Sequence, residues 1–117
     1  WRIRELSLPD DHPDIARSAE FMGLMMMDLS RPREARGWFE RSVAIRREVY
    51  AEDNAMRIDA ERDLGLCLQA LGEFELAEEQ LRLACDALTE HRGADDEKTI
   101  KCAELLQALY TEWGRDK

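Results

Sequence analysis

A chain of 117 residues with 44% hydrophobic and 37% charged side chains, three prolines and six glycines has the length of one domain and too many apolar residues to stay disordered. Its formal charge of −9 is uneven: residues 1–58 carry ten arginines against eleven acids, and residues 59–117 seven basic residues against fifteen acids, so the second half would repel nucleic acid and anionic membrane. No apolar run reaches the length of a membrane span, and no charged-then-apolar leader opens the chain.

Trp1 to Leu8 read as the tail of a helix, because they align with Val43 to Tyr50 at a step of 42. Asp11-His12-Pro13-Asp14 is a helix start: an Asp accepts free N–H groups, and proline is harmless in the first turn. The helix it opens runs from Asp14 to Leu29, with Ala16, Ala19, Met22, Gly23, Met26 and Leu29 at steps of three and four. Ser30-Arg31-Pro32 breaks it. A second helix from Arg33 to Tyr50 buries Ala35, Phe39, Ser42, Val43 and Ile45, and Arg46 and Arg47 turn out to water. The plan repeats with Ile58, Leu64, Gly65 and Leu68, the turn Leu71-Gly72, then Phe74, Ala77, Leu81, Ala84 and Leu88. A third unit starts at Asp95, buries Ile100, Ala103, Leu106, Tyr110 and Trp113, and stops after Gly114.

These elements recur at one spacing. Asp11, Asp53 and Asp95 are 42 apart, as are Gly23 and Gly65, Ala35 and Ala77, Leu29, Leu71 and Trp113, and Ser30, Gly72 and Gly114. Self-similarity of this length marks stacked supersecondary units. The expectation is an all-α superhelix, a solenoid of antiparallel helix pairs. Its units are 11–52, 53–94 and 95–117, the last holding only a first helix, and 1–10 is the tail of a preceding one. A piece cut from a longer array would expose stacking faces at both ends.

Several residues invite sharper readings. Met22 and Met26 fit the core, while Met27 belongs equally to a groove. His12 and His91 have acids nearby, but capping explains those acids, and no ligand-spaced histidine pair exists, so no metal and no cofactor are expected. Cys67, Cys85 and Cys102 are odd in number without a CxxC pair. They read as buried small hydrophobes rather than a disulfide framework, which fits the cytoplasm. Trp38, beside buried Phe39, should be half-exposed and pack on a neighbouring helix. Arg31, Arg33, Arg36, Arg41, Arg46 and Arg47 read as a solvated face with glutamate partners. There is no phosphate-cradling loop, nucleophile elbow or facing carboxylate pair, and no enzyme is expected.

Met22-Gly23 and Leu64-Gly65, Ala35-Phe39-Ser42 and Ala77-Leu81-Ala84, and Gly72-Glu73-Phe74 together resemble the tetratricopeptide repeat. The step of 42, with Asp11-His12-Pro13-Asp14 and Ala44-Ile45-Arg46-Arg47-Glu48, resembles its longer kinesin-light-chain-like variant. Gln107 and Ser30-Arg31-Pro32 depart from the pattern, standing where Gly and a Gly-x-aromatic turn are usual. A second resemblance, carried by Leu105 to Arg115, is to the closing repeats of large bacterial signalling proteins.

The first resemblance implies non-catalytic binding of a protein or peptide in a concave groove lined by the first helix of each unit. The groove positions are Arg17, Glu20, Phe21, Leu24 and Met27; Asp59, Arg62, Asp63, Leu66 and Gln69; and Lys101, Glu104, Leu105 and Ala108. The family's ligand-gripping asparagines are replaced by Glu20-Phe21 and Arg62-Asp63. Two alternatives stand beside this one: self-association through the terminal faces, and service as a sensor arm of a larger signalling enzyme.

Overall fold

The computed structural model describes residues 12–114. Five helices follow one another: α1 Pro13–Asp28, α2 Pro32–Val49, α3 Ala55–Ala70, α4 Phe74–Arg92 and α5 Glu97–Trp113. There is no strand among the described residues. The principal packing is between successive helices, α1 on α2, α2 on α3, α3 on α4 and α4 on α5. The chain is thus an all-α solenoid of antiparallel helix pairs, with extents of 49 × 31 × 19 Å. The expected helix tail at 1–10 lies outside the described residues.

The first helices of the pairs start 42 residues apart, at Pro13, Ala55 and Glu97. Their caps keep that step but sit one residue later than expected. His12 Nδ1 accepts from the Asp14 N–H at 3.0 Å, Asn54 Oδ1 from the Met56 N–H at 2.8 Å, and Asp96 Oδ2 from the Lys98 N–H at 2.9 Å. Asp53 and Asp95 therefore stand outside the capping position; Asp11 lies outside the described residues.

The turns also recur. Ser30, Gly72 and Gly114 all have positive φ, at 60°, 79° and 83°. After α1, the Ser30 and Arg31 N–H groups donate to the Met27 and Met26 carbonyls; after α3, Gly72 and Glu73 do the same to Gln69 and Leu68. This double bond pattern satisfies carbonyls that a helix end leaves free.

Close contact within each pair rests on glycine. A Cβ on Gly23 would lie 2.5 Å from Phe39 Cε1, and one on Gly65 would lie 2.8 Å from Leu81 Cγ. The main core gathers Ala35, Phe39 and Val43 of α2, Ala60, Leu64, Cys67 and Leu68 of α3, Ala77 and Leu81 of α4, and Leu109 of α5. Met22 and Met26 are half-buried, and Trp38 is 38% exposed. Trp113 stacks on Phe74 with ring centroids 5.9 Å apart.

Three expectations fail for identifiable reasons. Arg46 and Arg47 do not turn out to water. Arg46 is 3% exposed, pairs through Nη2 with Glu20 at 3.0 Å and donates through Nη1 to the Met56 carbonyl at 3.0 Å. Arg47 donates to Glu61 at 3.1 Å and to Gln80 at 2.9 Å. Acids on the neighbouring helices make burial of these guanidinium groups tolerable, and spacing along one helix carries no sign of them.

The face of α5 with Ile100 and Ala103 is exposed, Ile100 at 46%. Its counterpart Ile58 is buried against Ala84, Cys85 and Leu88 of α4, whereas no described element covers Ile100. Leu29, of the expected apolar column, is likewise 56% exposed.

The cysteines are not three free thiols. Cys85 of α4 and Cys102 of α5 form a disulfide, with Cα atoms 5.5 Å apart. Cys67 is free and buried; its thiol lies 3.2 Å from the Pro32 carbonyl, and burial pushes its pKa up to about 11. Counting and local motif do not reveal a pair that meets only when two antiparallel helices dock.

Candidate functional site

A groove of about 1000 Å³ opens between α3, α4 and α5. Helix α3 contributes Ile58, Asp59, Arg62, Asp63 and Leu66, which fall at three- and four-residue steps and so share one face. Helix α5 adds Lys98, Lys101, Cys102, Glu104 and Leu105, and the end of α4 adds Ala87, Leu88, His91 and Arg92. Ile58, Leu66, Leu88 and Leu105 give the groove an apolar lining among charges of both signs.

Seven of the residues expected from the sequence meet here: Asp59, Arg62, Asp63, Leu66, Lys101, Glu104 and Leu105. The others lie outside this cavity. Arg17, Phe21 and Leu24 are exposed on α1, Phe21 at 62% and Leu24 at 45%. Met27 is half-buried and packs against the main core. Gln69 donates to Glu112 at 2.6 Å, and Ala108 is exposed.

Sequence reasoning misses the contribution of α4. It expects first helices alone to line the groove, yet Ala87, Leu88 and His91 close one side. Their helical spacing is the one signal the sequence offers.

The charges are organised in pairs. Arg62 lies 3.4 Å from both Asp59 and Asp63. Arg92 pairs with Asp96 at 2.9 Å, which holds the Asp96 carboxyl below its usual range. Lys101 lies 3.4 Å from Glu97.

Glu20 of α1 reaches the same network. Its carboxylate pairs with buried Arg46 at 3.0 Å and acts on Asp63. The Asp63 carboxyl is pushed up to about 7, first by burial, then by Glu20, with Arg62 opposing. One groove wall therefore carries an acid raised toward neutrality.

At the far rim, Glu52, Glu90 and His91 bring oxygen and nitrogen atoms within 4.8 Å of one another, all exposed. His91 Nδ1 also lies 3.9 Å from Asp53. The acids beside His91 therefore come mainly from the loop before α3, not from Asp95 and Asp96. Between α4 and α5, Arg82 donates to Tyr110 at 2.6 Å and pairs with Glu78, and Tyr110 also bonds to Glu78. No helix among the described residues is long and apolar enough to cross a membrane.

A family model described as Tetratricopeptide repeat matches residues 8–90. The chain is 30% identical over 98 residues to the Clustered mitochondria protein homolog of Yarrowia lipolytica, and the match covers 84% of this chain but 8% of that protein. In structure, it is similar to the nearly identical TPR-like repeats crystallised from a Podosopora anserina protein described as a kinesin light chain. The TM-score is 0.88 at 19% identity, covering 97% of this chain and 54% of the other. A singly substituted form of those repeats superimposes with a TM-score of 0.87 over the same shares. At that identity the likeness is one of fold.

Proposed function

Because the chain belongs to the tetratricopeptide repeat family, whose repeats generally mediate protein–protein interaction, we propose that its groove binds a peptide or protein segment without catalysing a reaction. One observation carries this reading: α3, α4 and α5 bring apolar side chains and fixed charge pairs into one open groove of about 1000 Å³. Held on packed helices, these groups lose little freedom when a ligand arrives. The proposed units are 11–52, 53–94 and 95–117, and the proposed partners exclude nucleic acid and membrane. We propose a cytoplasmic location; a Cys85–Cys102 bridge found intact in protein drawn from cells would argue instead for an oxidising compartment.

A peptide-array screen on the whole chain, repeated with Leu66→Ser and Leu105→Ser combined, tests the groove. Both leucines are half-buried, so helicity by circular dichroism should be kept while retained peptides bind at least tenfold more weakly. Peptides that bind both forms equally would place recognition elsewhere.

The second reading, self-association, draws on the exposed apolar ends. Ile100 and Ala103 lie on one side, and Met25 and Leu29, 40% and 56% exposed, on the other. Sedimentation over a range of concentrations separates the two, since a strict monomer that still binds peptide excludes assembly.

A further inference from the structure

The groove has one covalent element in its frame. Cys102 of α5 lines it, and Cys85 of α4, bridged to Cys102, sits in one apolar cluster with Ile58 and Leu88, which also line it. The bridge therefore ties together two of the three helices that form the groove.

The ties on α5 are divided along its length. Its lining residues, Lys98, Lys101, Cys102, Glu104 and Leu105, all fall in its first half. That half is held to α4 by the bridge and by the Thr99 hydroxyl on the Leu88 carbonyl, while Ile100 and Ala103 beside them are exposed. The second half has anchors of its own. Leu106 packs against both neighbouring core clusters, Tyr110 bonds to Arg82 and Glu78 of α4, Glu112 bonds to Gln69 of α3, and Trp113 stacks on Phe74.

We infer that Cys85 and Cys102 are a reversible thiol–disulfide switch on the groove. Bridged, they fix the lining half of α5 and a peptide is held; as two thiols, they let that half move and the peptide is held more weakly. The inference rests on the reading of the groove as a peptide site and names its regulation. The reactant is a small thiol of the glutathione class. Its thiolate attacks the Cys102 Sγ from the groove side, the Cys85–Cys102 bond breaks, and Cys85 leaves as a thiolate that takes a proton. A second small thiolate attacks the mixed disulfide, frees Cys102 to take a proton in turn, and departs as the oxidised small disulfide. Two electrons and two protons thus pass from the small thiols to the cysteines, and the reverse sequence restores the bridge. In the cytoplasm the two thiols are the resting form, and oxidation fixes the wall.

Both cysteines are buried, so the attacking thiolate reaches them through the groove, where a bound peptide stands in its way. Linkage makes the effect mutual: whatever factor the bridge adds to peptide affinity, a saturating peptide adds to the resistance of the bridge to reduction. Cys67, buried against the Pro32 carbonyl, lies outside this pair.

The test equilibrates the whole chain in buffers of graded reduced-to-oxidised glutathione ratio. The bridged fraction is read by alkylation and mass spectrometry, and amide exchange is followed along α5. Exchange at 98–105 should speed in step with loss of the bridge, while 109–113 changes little. The peptide array, probed with bridged and with reduced chain, should hold its retained peptides at least about fivefold more tightly to the bridged form. One such peptide at saturation should raise the ratio of squared reduced to oxidised glutathione at half-reduction by that same factor.

Cys102→Ser, with Cys85→Ser as a second variant should the first fold poorly, should bind as the reduced chain does and ignore the buffer. Cys67→Ala should keep the native response. A bridge that resists every glutathione ratio, one that never forms, or exchange that is unchanged or speeds evenly along α5 would overturn the switch. Peptides held equally by both forms would overturn it with the groove left standing. No peptide held by either form would overturn the groove reading, and the switch with it.

Discussion

Ser30 is the residue at which this chain departs most plainly from its own repeat. It occupies the same left-handed turn as Gly72 and Gly114, at φ 60°, but carries a Cβ where they have none. That conformation strains an ordinary L-residue by about 1–2 kcal/mol, and glycine gives back part of the relief through its freer unfolded chain. Ser30→Gly should therefore stabilise the fold by about 0.5–1 kcal/mol, read from the urea midpoint. An equal or lower midpoint would show that the serine conformation is unstrained. The column is legible in the sequence because period and residue type agree at these positions. Gly23 is legible too, and the structure supplies its reason in the ring of Phe39. The burial of Arg46 is not legible, because its partner Glu20 is remote in sequence and close only after α1 has packed on α2.

Among the elements, α5 is the last of the described helices and leans chiefly on α4. It buries Thr99, Cys102, Leu109 and Tyr110, with the Thr99 hydroxyl donating to the Leu88 carbonyl of α4 at 3.2 Å, and it meets α3 through the Gln69–Glu112 bond. The Cys85–Cys102 bridge adds a covalent tie across a separation of 17 residues, a loop whose closure is worth about 3 kcal/mol in the chain-entropy model. A dithiol reductant should lower stability by about that amount and speed amide exchange in α5 more than in α3. Equal exchange with and without reductant would mean that packing alone holds the helix. Helix identity and order are readable from three- and four-residue steps. Which face of α5 is covered is not, because the pattern Ile100, Ala103, Gln107 is the same whether or not another helix lies upon it. The half of the groove contributed by α4 escapes for a related reason: residues on two helices line one cavity only once the helices dock.

For the molecule as a whole, Asp63 sets a pH dependence. Its folded pKa of about 7 lies above the ordinary 3.8, so the folded chain holds a proton that the unfolded chain has already released. Stability should therefore fall as pH rises from about 4 to about 7 and level off above, the reverse of a salt-bridged acid. Asp96, held low by Arg92, loses its contribution only in stronger acid, outside this window. Urea midpoints at about pH 5 and pH 8 should differ in that direction in the native chain and converge in Asp63→Asn. A midpoint that rises with pH would assign the proton to another group.

The extents of 49 × 31 × 19 Å come from helices that lean chiefly on their immediate neighbours. Such a body behaves as a short spring. Tension along its length is shared among a few serial joints, each able to yield slightly while the helices stay intact. A segment held in the proposed groove would bear first on the joints among α3, α4 and α5, which are the elements that line it.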